Sequence, residues 1–270
     1  MKYEHIGNVT IPKIGFGTWK IGGDTRALPA QDASSLAALR SALEIGYTHF
    51  DTAEMYSSGH AEELLGQAVR EAGVPREKLF ITSKVKPANL SYTGVLRSCE
   101  ASLRRLQMDY LDLYLIHWPG STPLRESFRA LNQLVREGRV RQLGVSNFDL
   151  GLLDQAQAES ESPLLTNQVP YSLSNRRYVK NGMLAYCQRN DMLLTAYSPV
   201  DEGRLRANPA LQNIAAAHNA TLYQIALAWL AAQPRVIAIP RSANPQRQAE
   251  NFAAAEIELT PAEMQQLDSL

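Results

Sequence analysis

At 270 residues the chain has room for one large α/β domain or two small ones, and its 45% hydrophobic and 20% charged residues suit a packed core. Twenty-seven basic residues balance 27 acidic ones, so no net field draws nucleic acid or an anionic membrane, and any anion site must be local. Two cysteines, Cys99 and Cys187, are too few and too distant for a disulfide framework or a zinc cluster and read as buried thiols. Met1-Lys2-Tyr3-Glu4-His5 has no apolar leader core, and no stretch approaches the eighteen or so apolar residues of a spanning helix, so a cytoplasmic protein is expected.

The first dozen residues read as a hairpin, Tyr3–His5 and Val9–Ile11 about a Gly7-Asn8 turn, placed to close the bottom of a barrel. Strand and helix then alternate. Ile14–Thr18 is a strand, and Ala33–Glu44 has helical spacing and stops at Gly46. A strand ends at Asp51; Ala61–Glu71 is helical, with Gly73 after it; a strand ends at Lys84; Thr93–Leu106 is helical. Leu111–Ile116 is nearly all apolar, as a parallel strand buried on both faces should be, and Leu124–Glu137 is a helix stopped by Gly138. Val140–Val145, Leu164–Val169, Met192–Tyr197 and Val236–Ile239 supply four more strands. Helices over Leu150–Ala158, Tyr178–Gln188, Leu222–Ala232 and Pro245–Ala253 lie between or after them. Two helices are extra: Asn208–His218, and a terminal one opened by the capping box Thr260-Pro261-Ala262-Glu263. Asp201–Ala207 is the most loop-like internal stretch, and no linker divides the alternation. Eight strands alternating with eight helices predict one closed (β/α)8 barrel spanning 1–270. Against a doubly wound sheet, Gly15-Phe16-Gly17 begins a dinucleotide-binding turn, but Lys20 stands where its third glycine belongs.

Asp51, Lys84 and His117 are spaced thirty-three residues apart, each at the end of an apolar run. One strand-plus-helix unit is about that long, so the three should share the carboxyl-terminal rim, where barrels build active sites. Tyr56 adds a phenol to that rim. A phenol titrates near 10 when unperturbed; a lysine beside it is expected to lower that value, with a carboxylate holding the lysine charged. Such an array protonates an oxygen as hydride reaches a carbonyl carbon. Taken singly each residue has a plainer role: Asp51 as a cap, Lys84 as an ion-pair partner, His117 as a hydrogen-bonded core histidine. The four at matched positions argue for chemistry. The histidines His5, His49, His60, His117 and His218 have no metal-ligand spacing, and Gly144-Val145-Ser146-Asn147-Phe148 is not a nucleophile elbow.

Asp51-Thr52-Ala53-Glu54-Met55-Tyr56, Lys84, Leu113 through Pro119, Gly144-Val145-Ser146-Asn147-Phe148 and Ile239-Pro240-Arg241-Ser242 resemble the aldo-keto reductases, from Ile11 to the last helix, most closely small bacterial members similar to methylglyoxal reductases. The resemblance implies NADPH-dependent reduction of aldehydes and activated ketones by a monomer, without nucleic-acid or membrane partners. It makes Asp51, Tyr56, Lys84 and His117 the catalytic residues, with Trp19, Tyr56, His117 and Trp118 about the substrate. Gly17, Thr18 and Trp19 would border the cofactor. Ser146, Asn147 and Gln168 would hold its carboxamide, and Tyr197, followed by Ser198, would stack on its ring. Asn244-Pro245 reads independently as a helix start, and Arg241, Ser242 and Arg247 around it form a local anion site suited to the 2′-phosphate of NADPH. Glu250 and Asn251 would reach the adenine. Many relatives extend into a long carboxyl-terminal loop, whereas this sequence stops at Leu270, which implies an open pocket. Two other readings stay open on the residues alone: a barrel aldolase with Lys84 as Schiff-base nucleophile, and a cofactor-binding sensor with negligible turnover.

Overall fold

The computed structural model describes residues 1–206 and 208–270; Ala207, the last residue of the expected Asp201–Ala207 loop, lies outside the described residues. Strands β1 (Tyr3–Ile6) and β2 (Val9–Pro12) form the expected antiparallel hairpin, with Ile6 opposite Val9. Eight parallel strands follow: β3 (Phe16–Gly17), β4 (His49–Asp51), β5 (Phe80–Val85), β6 (Leu111–Ile116), β7 (Val140–Ser146), β8 (Thr166–Pro170), β9 (Leu193–Tyr197) and β10 (Val236–Ala238). Each pairs with its neighbours in chain order. The ring closes where Gly15 N donates to Ala238 O (2.8 Å) and Ala238 N donates to Lys13 O (2.8 Å), with Ile14 bridging Ala238. The first strand is shorter than its Ile14–Thr18 pattern because only Phe16 and Gly17 find partners in β4.

The helices are α1 (Asp32–Ile45), α2 (His60–Ala72), α3 (Tyr92–Leu106), α4 (Leu124–Arg136), α5 (Leu150–Glu159), α6 (Arg177–Lys180), α7 (Met183–Arg189), α8 (Pro209–Ala217), α9 (Leu222–Ala232), α10 (Pro245–Ala253) and α11 (Pro261–Asp268). The single helix expected over Tyr178–Gln188 is two, α6 and α7. Gly182 between them takes φ +89°, a left-handed value that ends one helix and starts the next. Side-chain caps act where the sequence placed them: Asn208 on Leu211 N, Asn244 on Arg247 N, and Thr260 with Glu263 as a reciprocal box. Helix α9 is apolar on nearly every face because it packs against α8, α10 and the turn Ala254–Glu256.

All six residues of β6 are buried, since parallel strands are covered by the barrel interior on one face and helices on the other. At the amino-terminal end Ile11 from the hairpin plugs the barrel against Leu113, Leu115, Leu165, Leu193 and Ile237. Lys13 fastens that plug, donating to Gln233 O (2.8 Å) and Val236 O (3.1 Å) and pairing with Glu4, which also accepts from Arg235 N (2.9 Å). The solvent side of this bottom is closed, so the opposite rim is left for chemistry.

Gly15 faces inward beside His49, and a Cβ there would sit 2.4 Å from His49 Nδ1. Gly15→Ala should therefore destabilise the fold by about 1–3 kcal/mol through overpacking. A urea midpoint equal to that of the parent protein would show that the interior can yield at this layer.

Candidate active site

Parallel register sets the rim. Gly17 lies opposite Asp51, and Asp51 opposite Thr82, two residues before Lys84 on the same face of β5. Ser146 lies opposite Gln168, and Pro170 opposite Tyr197. Asp51, Lys84, Gln168 and Tyr197 thus reach one opening from four strands, with His117 just past β6.

Lys84 is fully buried, and its three N–H bonds are all engaged: to Asp51 Oδ1 (2.5 Å), to Thr52 O (2.8 Å) and, longer, to Tyr56 OH (3.4 Å). The Asp51 carboxylate favours the ammonium, which has no lone pair, over the free amine that the Schiff-base alternative needs. Burial pulls the amine down from its ordinary value, against the opposing pull of the Asp51 charge. Asp51 Oδ2 takes a bond from Gln168 Nε2 (2.8 Å), so the carboxylate is held from both β5 and β8. One N–H of the Gln168 amide is thus on Asp51, which leaves its second N–H and its Oε1 for the carboxamide expected there.

Tyr56 corrects one expectation. Burial, with the Asp51 charge adding to it, pushes its phenol well above 10, where the lysine was expected to lower it. Desolvation of the phenolate is the larger effect, and the Asp51 charge adds to it. The phenol keeps its proton and can give it. His117 is buried and neutral, pushed down to about 2 by burial and then by the Lys84 charge. Its ring stacks on Trp118 (centroids 4.0 Å apart, 18° between planes) and meets Tyr56 edge-on at 5.6 Å. Trp118 and Trp19 are each 38% exposed, as walls of an opening would be.

On the other side of the opening, Ser146 Oγ donates to Gln168 O (2.8 Å), Asn147 Nδ2 to Ser146 Oγ (2.9 Å), and Tyr197 OH to Asn147 Oδ1 (2.9 Å). The structure thus gathers Ser146, Asn147, Gln168 and Tyr197. Thr18 is buried, donating through N and Oγ1 to Asp51 O. Asn147 (φ +64°), Ser198 (φ +48°) and Lys20 (φ +65°) hold left-handed backbone at three strand ends, strain of the kind that collects at functional rims. Arg241, which donates to Lys20 O (3.3 Å), and exposed Arg247 flank the start of α10. Ser242 and Asn251 are buried beside them, and Glu250 is tied to Gln246. Two guanidinium groups at a helix start are a donor set that fits the phosphates of NADPH.

Sequence reasoning missed other parts of the rim. Met55 (40% exposed), next to Tyr56 in the chain, and Leu28 (36%) are large apolar side chains left in solvent. Glu54 is buried and accepts from Lys86 N (2.7 Å) and Asn89 Nδ2. Ser57, also buried, lies in a tight turn that Ser57-Ser58-Gly59, a cluster of turn formers, could have signalled.

The family model for the aldo/keto reductase family matches residues 13–270. Methylglyoxal reductase YeaE of Escherichia coli (strain K12) is 41% identical over 98% of this chain and 93% of its own length. A thermostable aldo-keto reductase, Tm1743, crystallised with the inhibitor epalrestat, superposes with a TM-score of 0.95 at 44% identity, covering 100% of this chain and 99% of that one. An aldo-keto reductase from Klebsiella pneumoniae in complex with NADPH gives 0.88 at 40% identity, over 99% and 94% of the two chains. The chain belongs to the aldo-keto reductase family. It is an NADPH-dependent oxidoreductase of carbonyl compounds. Among the described residues no helix is long and apolar enough to cross a membrane.

The two innermost histidines give a pH test. His49 and His117 are held neutral in the folded chain, pushed by burial to about 4 and about 2 from 6.5. Unfolding lets both protonate below about 6.5, so the unfolded chain binds more protons there. Stability should be intact above that pH and fall as pH drops, by up to about 1.4 kcal/mol per unit for each histidine. Urea midpoints between pH 7 and 5 should fall less for His49→Gln and His117→Asn than for the parent. Equal losses would mean the imidazoles are not buried neutral.

Proposed function

We propose that the chain reduces short, activated carbonyl compounds, 2-oxoaldehydes and aromatic aldehydes, with Tyr56 as proton donor. The observation that carries this reading is the meeting of the Tyr56 phenol, the buried, ion-paired Lys84 ammonium and the His117 imidazole at one rim. NADPH, when bound, supplies the hydride. Tyr56 gives its proton to the carbonyl oxygen as negative charge gathers there, and Lys84 stabilises the phenolate that remains. Asp51 keeps Lys84 charged and oriented, and Gln168 keeps Asp51 in place. His117, in the tautomer protonated on Nε2, donates to the same oxygen and orients it. Trp19 and Trp118 wall the opening; both remain partly exposed, which suits small substrates that need little apolar burial. The relatives named for methylglyoxal and glyoxal reduction support the same class.

Ser146, Asn147 and Tyr197 would meet the nicotinamide end, with Gly17, Thr18 and Ser198 bordering it. Arg241, Ser242 and Arg247 would meet the phosphates, and Glu250 and Asn251 the adenine. The working unit in this reading is a monomer, one barrel over 1–270. Dependence on NADPH and two buried free thiols, Cys99 and Cys187, support a cytoplasmic setting.

Tyr56→Phe removes a proton and little volume, so reduction of methylglyoxal or nitrobenzaldehyde, followed by loss of NADPH absorbance, should drop about 10²- to 10⁴-fold. NADPH binding should be nearly unchanged. More than half the parent kcat in this variant would remove Tyr56 from the role, and NADPH binding with no turnover across an aldehyde panel would favour a sensor instead.

NADPH should bind more tightly than NADH. Arg247→Ala should shrink that preference by about 1–2 kcal/mol, roughly five- to thirtyfold, because an exposed guanidinium–phosphate pair is partly screened. Titration of both cofactors into both proteins by fluorescence quenching checks this, and equal parent affinities would contradict an anion site at α10.

A further inference from the structure

The phenol of Tyr56 meets its one hydrogen-bond partner, Lys84, at 3.4 Å, too long to hold a ring in place. Its position comes from the edge-on contact with His117 and from the backbone that carries it. That backbone leaves Tyr56 through three successive left-handed residues: Ser57 (φ +50°), Ser58 (φ +58°) and Gly59 (φ +95°). Glycine adopts such a conformation freely, whereas serine does so only where its surroundings dictate it. Here they do, on three sides.

Ser57, fully buried, donates from Oγ to Ile21 O (2.8 Å) and from N to Asp24 O (3.0 Å), and Ser58 Oγ donates to Thr25 O (2.9 Å). Beneath the turn, a Cβ on Gly59 would lie 2.6 Å from Arg105 Nε, and that guanidinium is fixed by buried Glu62 (2.6 Å). On the remaining side Glu54 ties the approach to Tyr56 to Lys86 and Asn89. A glycine at 57 would adopt the same φ without strain but would lose the bond to Ile21. The serine therefore accepts a strained backbone in exchange for a tether. That tether ends on the segment just after Trp19, so the substrate wall and the phenol share one rigid unit.

We propose that Ser57 is a positioning residue for Tyr56: its left-handed backbone and its hydroxyl bond to Ile21 lock the phenol's turn to the loop behind Trp19. The inference rests on Tyr56 being the proton donor. The test compares Ser57→Gly, Ser57→Ala, Ser57→Asn and Ser58→Gly with the parent and with Tyr56→Phe. Ser57→Gly should lower kcat for methylglyoxal roughly tenfold and Ser57→Ala further, toward about a hundredfold, as small misplacements of reacting groups do. The fall should be larger in kcat than in KM or NADPH affinity, because the tether acts directly on the phenol's turn while the phosphate site at α10 keeps its own bonds. Ser58→Gly, which loses only the outer tether, should lose severalfold less than Ser57→Gly. Ser57→Asn should recover most of the loss, since asparagine tolerates the left-handed region and its amide can donate to Ile21 O. Amide exchange at residue 57, whose N–H bonds Asp24, should quicken in Ser57→Ala without any turnover being measured. If Ser57→Ala does not fold, Ser57→Gly, which carries no backbone strain, decides the matter. Parent-like kcat in the Ser57 variants beside an inactive Tyr56→Phe would overturn the positioning role alone. A parallel fall of kcat, NADPH affinity and melting temperature in Ser57→Gly would also overturn it, in favour of general support. Full rates in Tyr56→Phe as well would instead remove the proton-donor reading and this inference with it.

Discussion

Lys84 and Asp51 form an ion pair with almost no access to water, and much of the barrel's upper half is arranged around keeping it there. Each charge taken from water costs several kcal/mol, recovered only if geometry and additional hydrogen bonds are good. Thr52 O and Tyr56 OH complete the ammonium, and Gln168 reaches from β8 to complete the carboxylate. The protonation of the neighbours follows from their own burial, with the charges of the pair acting in the same direction. His117 stays neutral because it is buried and faces a cation; Tyr56 keeps its proton because burial and an anion both oppose the phenolate. Burial first, and the charges of the pair second, leave a phenol that holds its proton until charge gathers beside it and an imidazole that stays neutral.

The two ends of the barrel handle charge differently. At the bottom, Glu4 is matched by Lys13 and Arg235, and Asp112 by Arg76 and Arg141, whose guanidinium groups enclose Tyr110 at 4.0 and 3.8 Å. Those groups are paired, packed and close the plug formed by Ile11. At the top, polar groups are concentrated on strained backbone at Lys20, Ser57, Asn147 and Ser198. Barrels place stability at one end and chemistry at the other, and here the strained backbone marks the chemical end.

Ser146, Asn147 and Tyr197 are bonded to one another along the opening. A ligand that claims any of them must replace an existing bond, so these groups contribute orientation more than net affinity. The flanking arginines of α10 are exposed and are the groups from which cofactor affinity can be drawn.

The recurring interval from Asp51 to Lys84 to His117 was legible because one strand and one helix occupy a nearly constant length, and each residue terminates an apolar run. Caps at Asn244 and Thr260 were legible because capping is local. Apolar periodicity likewise gave every strand and all but one helix, and motif order gave the family. The break at Gly182 was hidden because a glycine within helical spacing is as often tolerated as not. The Gln168 bond to Asp51 joins residues 117 apart in the chain and depends on how the ring of strands closes. The upward push on Tyr56 was read with the wrong sign, since neighbours can be guessed from spacing whereas desolvation exists only once the interior has assembled. Residue types and their order along the chain thus determined which groups would meet; tertiary burial decided which of them carry a charge.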